Sequence, residues 1–268
     1  MDLFWATIYG LIQGVTEFLP ISSSGHLAVI PFLFTLEDPG VLFDLMMHLG
    51  TAIAVILYFR KDILKLITGF FGICRTRNIN EAPFVCNFLL ATFFSFVFIL
   101  VLKKFALEHA RVPIYIGINL IVFGIIMYFS DRSAEKNINM GSELKLKEAI
   151  LIGIAQSFAI FPGVSRSGIT LTMGRFLGLG REEAGRFSFL LSLPVILGSI
   201  VFKLPDILNG GAGDASLGIL FYAVLCSFVF GLVTIHFFLK LIARIGLVHF
   251  SIYRVLFGSY LLYLIYSA

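Results

Sequence analysis

Two short segments of the sequence combine polar and charged residues in patterns that could perform chemistry. In the first, Gln13 and Glu17 lie four positions apart and are followed by Ser-Ser-Ser-Gly-His at 22–26. Residues four apart share one face of a helix, so we expect the side chains of Gln13 and Glu17 to point the same way. The second segment, 162–168, reads Pro-Gly-Val-Ser-Arg-Ser-Gly. Each segment therefore combines hydroxyl groups with a charged residue.

These residue types favour the binding of an anion that carries phosphate. Backbone amides at the start of a helix bind anions, and Arg166 adds a planar, permanently charged group that matches phosphate oxygens. Two such helix starts facing each other would add hydroxyls, one carboxylate and one imidazole. This set suits a phosphate or pyrophosphate better than a sugar, an amine or a metal cluster. The sequence contains no Walker loop and no HExxH motif, and these residues alone do not identify the substrate.

Simpler roles for the same residues stay open at this stage. Glu17 and Arg166 could form an ion pair that only pins two segments together. His26 could be a helix-capping donor, and each serine could be an N-cap, since serine is favoured there. Gln13 and Gln156 could only satisfy each other or the backbone.

The composition indicates that the two segments lie in a membrane protein. Of the 268 residues, 59% are hydrophobic and 13% are charged, whereas an average soluble domain is about 45–50% apolar and about 25% charged. This excludes a soluble enzyme, a disordered chain and a secreted disulfide scaffold. The net charge of +4 is too small to indicate a nucleic-acid partner, and the three cysteines form no CxxC pair.

Six apolar runs are long enough to cross a membrane, because a spanning helix needs about 20 mostly apolar residues. They are 43–59, 84–102, 113–130, 187–204, 217–239 and 251–266. The last run is short and carries Arg254. Asp44 and His48 lie near the start of the first run, and we interpret them as a solvated helix end.

Two further apolar regions, about 4–36 and about 148–180, are interrupted by the polar segments. The arm after each interruption would be only ~15–20 Å long, too short for ~30 Å of hydrocarbon. We therefore predict two re-entrant helix hairpins, each entering and leaving on the same side. Glu17 and Arg166 at membrane depth would oppose insertion by ~5–7 kcal/mol unless paired or hydrated, which makes them functional candidates.

The two halves of the chain resemble each other. Residues 10–13 align with 153–156, and 22–25 align with 165–168, both at an offset of 143. Each half would contain one hairpin and three spans, and because three is odd the second half starts on the opposite face. The predicted fold is an all-α integral membrane protein with an inverted-topology repeat. It is a single membrane domain, 1–268, with repeats 1–130 and 148–268.

The distribution of positive charge orients this arrangement. Fourteen of the 20 Lys and Arg residues lie in 60–83, 131–186 and 240–250, when Arg166 at a hairpin tip is left out. The segments on the other side hold four. By the positive-inside rule the fourteen-charge side is cytoplasmic, so we expect both termini to face outward.

Residues 13–26 and 162–168 closely resemble the two signatures of the bacterial undecaprenyl-pyrophosphate phosphatases, the bacitracin-resistance family. Length, span pattern and motif order also agree, so the resemblance covers essentially the whole chain. It implies hydrolysis of the C55 lipid pyrophosphate to the monophosphate, which releases inorganic phosphate and recycles the lipid carrier of peptidoglycan synthesis. It also implies a site in the bacterial inner membrane that opens outward, membrane lipid as a partner, and a divalent cation, Mg²⁺ or Ca²⁺. Whether two copies form a homodimer stays open.

The resemblance also assigns residues to the site. The matching catalytic positions are Glu17, Ser23, His26 and Arg166. The groups at the two helix starts that we expect to bind the phosphates are Ser22, Ser24, Gly25, Ser165, Ser167 and Gly168. Gln13 matches a position that is Glu or Gln in the family, so a cation held by Glu17 and Gln13 would have one carboxylate, which Mg²⁺ accepts. Either Ser23 attacks phosphorus with His26 as its base, or His26 attacks and Ser23 orients the phosphate.

Three rival classes make different demands on the sequence. A type-2 phosphatidic-acid phosphatase shares the Ser-Gly-His and Ser-Arg pieces but needs a later His-Asp pair, which the residues after Arg166 lack. A transporter of a lipid phosphate fits an inverted repeat with broken helices, but it has little use for His26 beside a serine. A structural subunit does not explain Glu17 and Arg166 at membrane depth.

Overall fold

The computed structural model describes residues 2–34, 36–78, 82–109, 112–132, 138–141, 143–208 and 216–267. Its helices, numbered in chain order, are α1 (Leu3–Thr16), α2 (Ser23–Phe34), α3 (Gly40–Tyr58), α4 (Arg60–Thr76), α5 (Pro83–His109), α6 (Pro113–Asp131), α7 (Leu146–Ser157), α8 (Arg166–Phe176), α9 (Arg181–Leu208), α10 (Leu217–Ile245) and α11 (Val248–Ser267). Within these ranges the β pairing is limited to one bridge between Ile138 and Leu179. The predicted all-α class is therefore confirmed.

Five helices, α5, α6, α9, α10 and α11, are long and apolar enough to cross a membrane. A sixth candidate is α3 taken with α4, which bends away from it by 79°. Each predicted span falls on one of these helices. The sequence analysis predicts no helix in 60–83, yet α4 occupies most of this segment. Helix α4 is apolar on one face only, so it contains no continuous apolar run.

The outer surface of the long helices is apolar. Large side chains such as Val201 and Phe221 are about 70% exposed, at 69% and 71%. In each of these five helices, only 22–50% of the most apolar stretch is buried inside the protein. Because such surface is unfavourable in water, lipid must cover it. The chain therefore fits a multi-pass membrane protein.

Two pairs of short helices carry the polar motifs. Residues 17–22 separate α1 from α2, and residues 158–165 separate α7 from α8. Pro20 and Pro162 lie in these interruptions, where proline supplies no backbone N–H to continue a helix. Helices α2 and α8 have 12 and 11 residues, so they are only about 18 and 17 Å long at ~1.5 Å per residue. Both predicted interruptions are present.

Close helix packing holds these pairs against the long helices. Helix α1 packs on α10, and α7 packs on α5. A Cβ on Gly10 would lie 2.6 Å from Cys226 Cβ, and one on Gly153 would collide with the carbonyl oxygen of Ala91. Glycine at these two positions therefore allows backbones to touch, as it does in many membrane helix pairs.

Candidate active site

The carboxylate of Glu17 is the centre of a buried hydrogen-bonded cluster. Glu17 directly follows α1 and is 7% exposed. Its Oε2 accepts hydrogen bonds from Ser23 Oγ at 2.7 Å and from Gln13 Nε2 at 3.1 Å. Its Oε1 accepts from Arg166 Nη2 at 2.7 Å. Gln13 reaches Glu17 because the two lie one helical turn apart, and Ser23 reaches it as the first residue of α2. Four of the predicted site residues therefore meet.

Arg166 joins the second broken helix pair to the first. It is the first residue of α8, and its side chain is 11% exposed. Besides contacting Glu17, it donates from Nη1 to the carbonyl oxygen of Ser188 at 3.2 Å. Beside it, Ser167 Oγ donates to the carbonyl oxygen of Leu19 at 3.0 Å. Because losing one partner of a buried ion pair costs about 3–5 kcal/mol, these contacts hold the two interruptions together.

Two serines of the motifs are helix caps. Ser22 Oγ accepts a hydrogen bond from the Gly25 N–H at 3.3 Å, and Ser165 Oγ accepts from the Gly168 N–H at 3.1 Å. These are N-cap contacts, as the simpler interpretation allowed. Both serines also have positive φ, 76° and 70°. Residues with a Cβ rarely adopt such φ values, and this strain concentrates at functional sites. Each short helix therefore begins with the same strained, capped geometry.

His26 lies one turn into α2, and its partners differ from that of Ser23. Its Nδ1 is 2.8 Å from the carbonyl oxygen of Ser22, and its Nε2 is 2.7 Å from the Tyr253 hydroxyl. The ring stacks on Phe257 with a centroid distance of 4.6 Å. Because a carbonyl oxygen only accepts, Nδ1 carries a hydrogen. No hydrogen bond joins His26 to Ser23 in the part of the chain that the structure describes; Glu17 is the partner of that hydroxyl instead.

His48 also reaches the cluster. Its Nε2 is 3.5 Å from Glu17 Oε2, and its Nδ1 is 2.7 Å from the carbonyl oxygen of Asp44. The His48 side chain is 26% exposed, so it keeps a partly solvated position near the start of α3 and also contacts the buried carboxylate of Glu17. Because α3 packs against α1, this residue faces Glu17.

A cavity of about 380 Å³ opens beside the cluster. Residues of α2, α3, α6 and α11 line it, and most of them are apolar. The polar side chains in its wall are Ser24, Asp38, Asp44 and His48. The cavity therefore provides polar groups near the helix starts and apolar walls beyond them.

Gln13 and Glu17 provide oxygen atoms that suit a hard divalent cation. Gln13 is fully buried, and its Oε1 has no hydrogen-bond partner among the described residues. An oxygen left unsatisfied in this way is costly, and a cation would satisfy it. The described residues include no group of three His, Cys, Asp or Glu side chains that could hold a metal. A cation here would complete its coordination with substrate oxygens and water, as Mg²⁺ often does.

The structure adds polar residues that the sequence analysis missed. Thr170, one turn after Arg166, shares a hydrogen bond with Ser188 Oγ at 2.5 Å. Asn119 donates from Nδ2 to the carbonyl oxygen of Pro162 at 2.8 Å. The four-residue spacing from Arg166 to Thr170 is a signal that could have identified Thr170. Asn119 is marked only by being polar within an apolar span.

Comparison with known proteins places this site in a known family. Residues 6–260 match the family model described as bacitracin resistance protein BacA. The chain belongs to the BacA family. The BacA match spans both broken helix pairs and α11 up to residue 260, so it includes every site residue described above.

Three relatives of this BacA family chain are named undecaprenyl-diphosphatase. The relative from Saccharophagus degradans is 41% identical over 271 residues, which cover 100% of both chains. The relative from Geotalea daltonii is 40% identical over 261 residues, 96% of each chain. The relative from Pelotomaculum thermopropionicum is 42% identical over 259 residues, 96% of this chain and 95% of its own. Similarity therefore extends over the full length and is not confined to the motifs.

Proposed function

We propose that this chain is a membrane-embedded hydrolase that converts undecaprenyl pyrophosphate to undecaprenyl phosphate and inorganic phosphate. This reaction recycles the lipid carrier for cell-wall synthesis and gives resistance to bacitracin. The observation that carries the proposal is the buried cluster in which one carboxylate binds a serine hydroxyl and an arginine from two facing helix starts. The names of the full-length relatives supply the substrate.

The pyrophosphate would bind between the starts of α2 and α8. Helix starts provide amide donors and a partial positive charge, which suit phosphate oxygens. The set of groups assigned to binding is Ser22, Ser24, Gly25, Ser165, Ser167 and Gly168. Arg166 would contribute its remaining guanidinium donors and stabilise the charge that develops on the transferred phosphoryl group.

The geometry favours Ser23 as the nucleophile. Ser23 Oγ already donates its hydrogen to Glu17 Oε2 at 2.7 Å, so Glu17 can accept that proton as the hydroxyl attacks. The Oγ–P bond to the terminal phosphorus would form while the bridging P–O bond breaks, and undecaprenyl phosphate would leave. Water would then attack the phosphorus of the phosphoserine, the Oγ–P bond would break, inorganic phosphate would leave, and Glu17 would return the proton to Ser23 Oγ. His26 is the weaker candidate nucleophile, because both of its ring nitrogens are engaged.

Glu17 and Gln13 would hold a divalent cation, Mg²⁺ or Ca²⁺, together with the substrate. When bound, the cation would neutralise part of the negative charge on the pyrophosphate. The unpartnered Oε1 of Gln13 supports this assignment. Glu17 still provides the proton acceptor for Ser23, since one carboxylate offers two oxygens and several lone pairs.

The two halves would be inverted repeats, 1–130 and 148–268, each with one re-entrant hairpin and three spans. Helix packing supports this, because α1 packs on α10 of the other half while α7 packs on α5. A further internal match supports it as well. Residues 95–98 and 227–230 both read Ser-Phe-Val-Phe, and Ala91 and Ala223, each four positions earlier, face Gly153 and Gly10.

The chain would lie in the bacterial inner membrane with both termini and the site opening on the outer face. The cavity beside the site is lined by Pro39, Pro113 and Ile265. Pro39 lies in a segment that the positive-inside rule assigns to the outer side, and Pro113 and Ile265 lie at the ends of spans on that side. The prenyl chain would lie in lipid or between apolar helices.

The test uses purified protein in detergent with a C15 prenyl pyrophosphate and Mg²⁺, and it measures released phosphate. We expect wild type to release phosphate and Glu17→Ala, Ser23→Ala and Arg166→Ala each to lose ~10²-fold or more. His26→Ala should lose less, because in this mechanism His26 neither attacks phosphorus nor accepts the proton of Ser23. Folded wild type that releases no phosphate with several divalent cations would contradict the proposal. Movement of a lipid phosphate in sealed vesicles would then favour the transporter.

A further inference from the structure

Arg254 is a buried cation that the reaction described above does not use. It lies in α11 and is 0% exposed. Among the described residues no carboxylate forms an ion pair with it. Its guanidinium donates instead to four backbone carbonyl oxygens. They belong to Gly163 at 2.8 Å, Pro20 at 3.2 Å, and Asn119 and Leu120 at 3.4 Å.

Two of these carbonyls lie in the interruptions that form the active site. Pro20 lies in the break between α1 and α2, and Gly163 lies in the break between α7 and α8. Gly163 has a φ of +91°, and a Cβ there would lie 2.5 Å from the carbonyl oxygen of Ile116, so only glycine fits this position. Arg254 therefore holds both irregular segments with one planar group.

The guanidinium also lies directly against the first turn of α8. A Cβ on Gly168 would be 2.8 Å from Arg254 Nη1. Gly168 is the residue whose N–H is capped by Ser165, two positions after Arg166. A fixed positive charge therefore lies close to the helix start at which phosphate would bind.

Arg254 is a buried charge without a counter-ion in the part of the chain that the structure describes. Arg166 is paired with Glu17, which leaves the charge of Arg254 with carbonyl dipoles but no counter-ion among the described residues. Another buried arginine differs in this respect, because Arg175, 1% exposed, lies 3.4 Å from Asp131. A charge at membrane depth is costly, so one that lacks a counter-ion indicates a functional need.

We propose that Arg254 is a positioning residue that fixes the two hairpin tips relative to each other and places a fixed positive charge behind α8 that favours an anionic pyrophosphate. It does not touch the substrate, because it is fully buried. It acts by orienting the backbone of Pro20 and Gly163 and through its charge behind α8. The inference rests on the proposed function for the identity of the anion.

The test compares Arg254→Met and Arg254→Lys with Arg175→Met, the matched change at a buried arginine outside the site. Full-length protein in detergent is assayed for thermal stability, for kcat and KM with a C15 prenyl pyrophosphate, and for the Kd of inorganic pyrophosphate. In Arg254→Met we expect kcat to fall ~10²-fold, because small misplacements of reacting groups cost this much. We expect its Kd for pyrophosphate to rise about tenfold, because the positive charge behind α8 is lost.

Arg254→Lys separates the two roles. It keeps the charge, so its Kd should stay near that of wild type. It cannot reach both tips with one planar group, so its kcat should still fall about tenfold, because the forked geometry of arginine is lost. Arg175→Met should lower thermal stability while the folded protein keeps wild-type kcat and Kd.

Two results would overturn the proposal. One is a folded Arg254→Met protein with wild-type kcat and Kd. The other is an Arg254→Met protein that differs from Arg175→Met in nothing but stability. If Arg254→Met does not fold, Arg254→Lys decides through its kcat. If wild type binds pyrophosphate but releases no phosphate, the proposed function fails, and the Kd values alone then decide the role of Arg254.

Discussion

Glu17 and Arg166, 149 positions apart in the sequence, form a direct ion pair with Oε1 and Nη2 2.7 Å apart. Both side chains are nearly excluded from solvent, at 6% and 11% exposure. Glu17 directly follows the last residue of α1, and Arg166 is the first residue of α8. The pair therefore connects the two broken helix pairs at the point where the chemistry is proposed to occur.

Removing one member of this pair should destabilise the protein more than removing both. Glu17→Gln leaves the charge of Arg166 buried without a partner, which costs about 3–5 kcal/mol. The double change Glu17→Gln with Arg166→Met removes both charges, so its unfolding temperature in detergent should lie above that of Glu17→Gln. Neither variant should release phosphate. A double variant that is less stable than Glu17→Gln would show that the two side chains do not depend on each other.

Ser23→Ala should lower phosphate release by ~10²-fold or more, because the hydroxyl that Glu17 is placed to deprotonate is lost. Ser199→Ala is a matched control. Ser199 lies in α9, and its hydroxyl only donates to Ile196 in its own helix, so this variant should keep wild-type activity.

The covalent intermediate offers an independent measurement. Wild type incubated with substrate labelled at the terminal phosphate and quenched in acid should retain label, because phosphoserine is stable in acid. Label that is lost in acid but retained in base would indicate phosphohistidine and would favour His26 over Ser23 as the nucleophile.

Gly153→Ala should destabilise the packing of α7 on α5. The added Cβ would collide with the backbone of Ala91, and such overpacking costs about 1–3 kcal/mol. Gly72→Ala in α4 is the control, because a Cβ at that position meets no described atom within 4 Å outside its own stretch of helix. Alanine favours a helix over glycine by up to ~1 kcal/mol, so Gly72→Ala should leave the unfolding temperature unchanged or raise it. Equal losses in both variants would argue against close packing at Gly153.

The proposed orientation predicts which surface cysteines react from each side of the membrane. In a chain with Cys74, Cys86 and Cys226 changed to alanine, a new cysteine at Lys65 should react with a membrane-impermeant maleimide only in inverted vesicles. The Lys65 side chain is 74% exposed, so burial does not block it. A cysteine at Glu37, which is exposed and precedes α3, should react only in intact spheroplasts. The reverse pattern would mean that the site opens inward.

The sequence predicted the class of protein and the places where its helices break, because both depend on local properties. Long apolar runs must form helices in lipid, where every backbone group needs a partner within its own segment. Proline, glycine and serine in the middle of such runs end those helices locally. Helix α4 was missed for a related reason, since an amphipathic helix contains no continuous apolar run.

The sequence also placed Glu17 next to Gln13, because residues one helical turn apart must share a face. It could not decide which partner Ser23 would take. The spacing of Ser23 and His26 allowed a contact between them, yet His26 turns toward Tyr253 on α11 while Ser23 turns toward Glu17.

By itself, then, the sequence determined the membrane class, the two polar breaks and the residue types available for phosphate chemistry. Only the tertiary structure decided that His48 faces Glu17, that Arg166 reaches across to the first break, and that Arg254 holds both tips. These contacts depend on how helices from distant parts of the chain rotate and cross. That arrangement is set by packing between surfaces, such as Gly153 against Ala91, and no local pattern along the chain records it.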